Sequence, residues 1–203
     1  SSFKDDFKAL WQNDQWRVLS IAAVFLLTGS VLRNTLAIYY VKYVLLQPDS
    51  IDRFLTLGML GSIAGCVIAQ PLAKRFCKVK LYQTFQVLAA LMCVGSLFAG
   101  TEAPMLALVA FVLWRLFFVA GTPLLWAKMA DTVDYGQWKT GIRTTGMVYS
   151  SIVFFIKLGL AIGGAAASWL LAGYGYEANV AQSIATQDGI LWSFCVYPAV
   201  GSL

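Results

Sequence analysis

The sequence contains no histidine and little charge of either sign. Its 203 residues include 15 Lys or Arg, 10 Asp or Glu and no His. Without an imidazole, the chain cannot use histidine for acid–base catalysis or for binding a metal. Charged residues make up 12% of the sequence, against about 25% in a typical soluble domain, and hydrophobic residues make up 59%. This composition predicts a membrane protein.

The four cysteines lack any functional spacing. They are scattered along the chain with no CxxC pair, which excludes the common zinc and redox motifs. We expect Cys66, Cys77, Cys93 and Cys195 to be small apolar packing residues.

Long apolar runs are what the sequence does have. A helix needs about 20 apolar residues to cross a bilayer, and we find five such runs and a sixth that is cut short. They cover residues 18–46, 54–72, 81–99, 105–126, 146–171 and 190–203. We predict helices, because the backbone groups of a lone strand would be unsatisfied in lipid. Before them, Phe3, Phe7, Leu10 and Trp11 recur at helical spacing and predict an amphipathic helix at the membrane interface.

Basic residues concentrate in alternate loops. The loops after the second and fourth runs are basic, whereas those after the third and fifth contain no Lys or Arg. Because basic loops face the cytoplasm, we expect the start of the chain to be cytoplasmic. The start, SSFKDDFKALW, has no initiator Met and no signal-peptide pattern. We therefore expect an internal piece of a longer protein.

Three cations, Arg33, Arg115 and Lys157, fall deep inside the apolar runs. Lys157 is roughly 15 Å and 21 Å of helix from the two ends of its run, which is too far for full snorkelling. No Asp or Glu lies at similar depth, and uncompensated buried charge is very costly. We expect the anions to come from another half of the protein, a bound anion or water. Lys157 either has a role in substrate binding or coupling, forms a structural ion pair, or faces lipid without a function.

Two further polar groups are candidates for function. Arg33 and Tyr40 fall on one helical face, next to Asn34, and either line a cavity for a polyhydroxylated ligand or place tyrosines at the membrane interface. In WAKMADTVDYGQWKTGIRTTG, two acids precede Gly136, where we expect the helix to break, and two bases follow it. The two acids are Asp131 and Asp134, and the two bases are Lys139 and Arg143. The four either form an ion-pair network that can open and close, or belong to an ordinary solvated loop.

Several stretches together resemble a known family. MADTVDYGQWKTGIR, YSSIVFFIKLGLAIGG, a GYGY end, LAIYYVKYVL and PLAKRFCKVKLY are similar to the glycoside–pentoside–hexuronide:cation symporters, the melibiose-permease-like carriers of the major facilitator superfamily. The resemblance implies an all-α, polytopic membrane protein. Residues 1–17 would belong to the central cytoplasmic loop, and 18–203 to the C-terminal six-helix half, helices seven to twelve, with the last one truncated.

The resemblance also implies a function. The protein would be a secondary active transporter rather than an enzyme, in the bacterial cytoplasmic membrane. It would couple Na⁺ or H⁺ to symport of a sugar, glycoside, uronide or sulfonated sugar by alternating access. The coupling cation would be bound mainly by the N-terminal half, and no other cofactor, metal or nucleic acid is implied. The alternatives are a non-transporting membrane scaffold or sensor, and a lipid carrier of the same fold.

The resemblance assigns roles to particular residues. Lys157 matches the eleventh-helix lysine at the sugar and cation sites, and Val153 and Ile156 match positions that contact sugar. Thr122 takes the place of a tenth-helix tryptophan, for which Trp126 could substitute. With the residues above, the expected substrate-binding set is Lys157, Arg33, Tyr40, Asn34, Trp126, Thr122, Ile156 and Val153. Asp131, Asp134, Lys139 and Arg143 would form a cytoplasmic gate.

Overall fold

The protein is a bundle of α-helices. The computed structural model describes residues 3–202, and within that range it contains no strand. Five segments are long and apolar enough to cross a membrane, as the predicted all-α membrane fold requires. The α-helices are α1 (Phe3–Gln12), α2 (Asp14–Tyr39), α3 (Ile51–Arg75), α4 (Lys78–Gly95), α5 (Pro104–Thr140), α6 (Thr145–Gly173) and α7 (Ile184–Ser202). A π-helical turn, Tyr40–Val44, continues α2, and short 3-10 turns occupy Pro48–Ser50 and Ser96–Phe98.

The first helix has one face against the bundle. Leu10 is buried, whereas Phe3, Phe7 and Trp11 remain exposed. A helix forms where the spacing predicts one, and its position at a membrane interface stays a prediction. Asn13 then ends this helix and caps the next, because its side-chain oxygen accepts a hydrogen bond from the backbone N–H of Trp16 at 3.0 Å.

The helix break expected at Gly136 is wrong. α5 runs through Gly136 without interruption and ends at Thr140. Gly136 instead provides space, since a Cβ built there would lie 2.6 Å from Nδ2 of Asn13. The helix stops at Gly141, whose φ of +73° is a left-handed conformation that favours glycine. The last helix also begins earlier than its apolar run, at Ile184 rather than near 190.

Small residues hold α6 against α2. A Cβ at Gly159 would lie 2.8 Å from the carbonyl oxygen of Val24, and one at Gly163 would lie 2.8 Å from that of Thr28. The two backbones are therefore in direct contact along the glycine stripe of α6. Beyond this pair, α3 packs on α5, α4 packs on α5 and α7, and α7 packs on α2.

The bundle has two distinct ends. One end, which we call the basic end, carries α1, the start of α2, the α3–α4 turn and the α5–α6 loop with their lysines and arginines. At the opposite end, the hydroxyl groups of Tyr43 and Tyr176 lie 3.2 Å apart and join the end of α2 to the loop after α6. The cytoplasmic position of the basic end stays a prediction from its charge.

Candidate functional site

Arg33 lies in the core of the bundle, not in a cavity. Its side chain is completely buried, with an exposed fraction of 0%. Nη1 donates to the carbonyl of Phe194 at 2.8 Å, and Nη2 donates to Oγ of Ser96 at 2.9 Å. The guanidinium carbon also lies 4.1 Å from the ring centroid of Phe194 and 4.9 Å from that of Trp114. Arg33 thus has neutral partners inside the bundle, and no Asp or Glu among the described residues pairs with it, so the expectation that its anion comes from elsewhere stays a prediction.

A proline explains why the Phe194 carbonyl needs this donor. In an α-helix each carbonyl accepts from the N–H four residues later, and four residues after Phe194 stands Pro198, inside α7. Proline has no backbone N–H. Arg33 supplies the missing donor from α2, across the helix–helix interface.

Asn34 and Tyr40 also take part in internal contacts. Oδ1 of Asn34 accepts a hydrogen bond from Nη1 of Arg115 at 2.5 Å. Tyr40 is fully buried and stacks on Phe194 with ring centroids 4.2 Å apart. Its hydroxyl lies 3.3 Å from the Ser96 carbonyl oxygen, to which it donates. In this structure Arg33, Asn34 and Tyr40 tie helices together, and none of them lines either of the two cavities described below.

Three of the other predicted residues meet at one cavity. Thr122 and Trp126 of α5 and Ile156 of α6 line a space of about 130 Å³, which we call the inner cavity. One water needs only about 10–15 Å³ on this measure, so the inner cavity is large enough for a group of ligand atoms. Three further residues, which were not predicted from the sequence, also line this cavity. They are Tyr82, Gln86 and Gly121. Val153, one turn before Ile156, is half-buried and does not line the cavity.

Lys157 follows Ile156 directly and is exposed. Between residues 3 and 202 no hydrogen bond or ion pair involves its ammonium group. Gly159, which packs against α2, is two residues away and hence about 200° around the helix. The lysine therefore points away from the α2 interface, on a face of α6 that this bundle leaves uncovered.

The four residues predicted to form a cytoplasmic gate do not form a single ion-pair network. Nη1 of Arg143 lies 3.0 Å from Oδ1 of Asp134, to which it donates, and also donates to Oε1 of Gln137 at 2.6 Å. Lys139 pairs instead with Asp14. Arg17 pairs with Asp14 as well. Asp131 has no ion pair with any residue that the structure describes.

Asp131 lines a second cavity, which we call the basic-end cavity. It has a volume of about 340 Å³ and lies between α2, α4 and α5. Lys128 also lines it, with Nζ 4.0 Å from the ring centroid of Tyr82. Tyr82 lines both the inner cavity and the basic-end cavity.

Sequence reasoning missed the residues that fix the start of α2. Nδ2 of Asn13 donates to the carbonyl of Thr132 at 2.9 Å, and Nε1 of Trp16 donates to Oγ of Ser151 at 2.8 Å. These bonds connect α2 to α5 and α6 at the basic end. An Asn before a helical run is a capping signal visible in the sequence, whereas the Trp16–Ser151 pair has no sequence signal.

Known proteins that are similar to this chain in sequence or fold are named as symporters or transporters. The chain is 35% identical to the inner membrane symporter YicJ of Escherichia coli, covering 98% of this chain and 44% of YicJ. It is 34% identical to the putative glycoside/cation symporter YagG of the same organism, with the same two coverages. The chain thus spans less than half the length of these curated relatives. It also shares the fold of FucP, a major facilitator superfamily transporter, with a TM-score of 0.73 and 20% identity over 99% of this chain and 44% of FucP.

The family match extends over residues 1–203. Its description, MFS/sugar transport protein, names a class of membrane transporters and not of enzymes. Five apolar spans, the fold shared with FucP and this match all agree. The chain belongs to the MFS/sugar transport protein family.

Proposed function

We propose that this chain is half of a cation-coupled symporter that carries a sugar or glycoside by alternating access. The observation that carries the proposal is the exposed ammonium of Lys157, on the residue directly after Ile156, which lines the inner cavity together with Thr122 and Trp126. The family and the names of YicJ and YagG support it. The basic end would face the cytoplasm of a bacterial cell, as its charge indicates.

The charge of Lys157 suggests how coupling would work. An ammonium at membrane depth requires an anion or water, and we expect acids of the other half to face it. If the coupling Na⁺ or H⁺ binds those acids, it changes how strongly Lys157 is held by them. The ammonium can then donate to sugar hydroxyls. Cation and sugar would thereby favour each other's binding, which is the thermodynamic requirement for coupling.

The basic end would act as the inward gate. The Arg143–Asp134 pair ties the α5–α6 loop to α5, and the Lys139–Asp14 pair ties α5 to the start of α2. Such exposed pairs contribute little to stability, about 0–1 kcal/mol each. They can therefore break and re-form as the two halves rock, which suits a gate. Asp131 is left for a partner in the other half.

The placement of the cations bears on the charge of the substrate. Arg33 is enclosed and Arg115 donates to Asn34, so of the three deep cations only Lys157 has no partner in the described part of the chain. A strongly cationic interior would have favoured a uronide or a sulfonated sugar. With one accessible ammonium facing acids of the other half, a neutral glycoside is the substrate we favour. Competition of uptake by neutral and anionic sugars compares the two directly.

Transport by the full-length protein in proteoliposomes tests this function. With an imposed Na⁺ or H⁺ gradient, Lys157→Ala should abolish concentrative uptake of a glycoside while the protein still inserts. Lys42→Ala is the matched control, because Lys42 is bonded to Asn179 at the opposite end and should be dispensable. Normal accumulation by Lys157→Ala would refute the role of the lysine. Absence of sugar counterflow in the wild type would favour a scaffold or sensor, and lipid movement without sugar movement would favour a lipid carrier.

A further inference from the structure

Gln86 of α4 is a buried polar residue whose side chain makes no hydrogen bond in the described part of the bundle. Its exposed fraction is 4%, and it lines the inner cavity. Within residues 3–202, neither its Nε2 nor its Oε1 has a hydrogen-bond partner. Buried polar side chains are nearly always hydrogen-bonded, and an unpaired one lowers the stability of the fold. Its neighbours Phe85 and Ala89 are buried and apolar, so a leucine at this position would suit the packing better.

The opposite wall of the inner cavity is shaped around this amide. A Cβ built on Gly121 of α5 would lie 2.7 Å from Nε2 of Gln86 and 3.3 Å from Cε2 of Tyr82. Both distances are shorter than ordinary carbon contacts. The lack of a side chain at Gly121 is therefore what lets Gln86 and Tyr82 approach α5 where the cavity begins. This close approach is independent of the missing hydrogen bonds, and both observations centre on the same amide.

We propose that Gln86 binds the substrate, with its amide hydrogen-bonding hydroxyl groups of a glycoside held in the inner cavity. The inference rests on the proposed transport function and adds a contact from α4, a helix to which neither the sequence nor the comparisons assign a site. Trp126, which lines the same cavity, supplies an aromatic surface for the apolar face of a sugar ring.

The chemistry of the amide suits a sugar hydroxyl better than a carboxylate or sulfonate group. An amide offers two N–H donors and a carbonyl acceptor, and a hydroxyl group both donates and accepts. The two therefore match in both directions, whereas a carboxylate or sulfonate only accepts and would leave Oε1 of Gln86 unpaired. The remaining walls of the inner cavity are largely apolar, with Leu26 and Phe118 among them. A mostly apolar site with a few well-placed polar groups is the usual form of a small-ligand site.

Binding of defined glycosides to the full-length transporter tests the proposal. The probes are p-nitrophenyl glycosides of gluco, galacto and xylo configuration, and the one that the wild type binds best is used with its monodeoxy analogues. Gln86→Leu should weaken binding of that glycoside about tenfold to a hundredfold. For the wild type, one deoxy analogue should bind correspondingly more weakly than the parent, and for Gln86→Leu that difference should vanish.

Two variants separate a binding role from a structural one. Gln83→Leu makes the same change on an exposed side chain of α4 and should leave affinity unchanged. Gly121→Ala displaces the amide and should also weaken binding. Added to Gln86→Leu, it should have little further effect, because the contact is already lost. Without ligand, Gln86→Leu should unfold at the same temperature as the wild type or higher, since an unpaired buried amide has been removed.

The outcomes distinguish this inference from the function beneath it. Unchanged affinity in Gln86→Leu, with a wild type that binds the probe, would overturn the role of Gln86 and leave symport standing. A lower unfolding temperature of ligand-free Gln86→Leu would also overturn it, because Gln86 would then serve the fold. A wild type that binds none of the glycosides would overturn the proposed function and, with it, this inference.

Discussion

Replacing Arg33 by methionine probes the most heavily buried charge in the bundle. Met has a similar length and no charge, so the change removes the donors and keeps most of the packing. The carbonyl of Phe194 would lose its hydrogen bond, since Pro198 offers no N–H. The loss of an obligatory partner predicts a less stable protein, with α2 and α7 less firmly joined.

The change in the free energy of unfolding caused by Arg33→Met has opposing contributions. A buried carbonyl left without a donor costs about 1–3 kcal/mol. The contacts of the guanidinium with the rings of Phe194 and Trp114 are worth about 2 kcal/mol when desolvated. Against these stands the cost of burying a charge whose Nε has no partner among the described residues. A single substitution cannot separate these contributions, but a double-mutant cycle can.

The second substitution is Pro198→Ala, which restores an N–H to the helix. In the Arg33→Met protein this N–H can bond the orphaned Phe194 carbonyl, whereas in the wild type Arg33 already does so. The two changes should therefore be coupled by about 1–3 kcal/mol. Desolvation and the helix cost of proline cancel in the cycle.

Thermal unfolding of the full-length transporter in detergent, followed by tryptophan fluorescence, measures all four proteins. The matched comparison is Pro198→Ala in the wild-type background. If the two substitutions add within about 0.5 kcal/mol, the usual limit for independent sites, then Arg33 does not act through this carbonyl. Unchanged substrate affinity in Arg33→Met would agree with its position outside the inner cavity.

Three further changes test other parts of the bundle. Gly163→Ala should lower the unfolding temperature, because its Cβ would lie 2.8 Å from a carbonyl oxygen of α2, whereas Gly164→Ala meets nothing within 4 Å and should not. Cys77 is exposed, and backbone N–H groups in the first turn of α4 lower the pKa of its thiol. More thiolate is then present at neutral pH, so maleimide labelling should reach half its maximal rate at a lower pH than for a peptide thiol, and an ordinary midpoint would contradict this. Asp134→Asn should reduce transport turnover more than substrate affinity, because it breaks the pair with Arg143; a change in affinity alone would argue against a gate.

Hydropathy predicts the bundle but not the ends of its helices. Crossing a bilayer demands long apolar runs, so each run indicates a helix in the sequence itself. The same criterion stops at residue 126, where the polar residues of α5 begin, although the helix continues to Thr140. Outside the membrane a helix depends on local hydrogen bonds and packing, such as the contact of Gly136 with Asn13. Hydropathy carries no information on either.

The candidate site, too, was only partly predictable from the sequence. The resemblance brought Thr122, Trp126 and Ile156 to notice, and they share the inner cavity. Gln86 and Tyr82 were missed, because a single glutamine in an apolar run has the same appearance whether it faces a neighbour, lipid or a cavity. Only the distances across α4 and α5 reveal that both atoms of the Gln86 amide are unpaired.

Arg33 and Lys157 differ for a reason that sequence position conceals. Both are cations inside apolar runs, yet one is enclosed and the other has no partner in the described residues. Arginine has five donors in a flat fork and is weakly hydrated, so a carbonyl, a hydroxyl and aromatic rings together can hold it inside a core. Lysine is a compact, strongly hydrated charge that such neutral groups satisfy poorly. The proline at 198 creates the acceptor that Arg33 requires, and no residue between 3 and 202 offers a comparable acceptor to Lys157. A buried arginine can thus be structural wherever a proline frees a carbonyl on the facing helix, whereas a lysine at similar depth must be matched by acids, water or substrate.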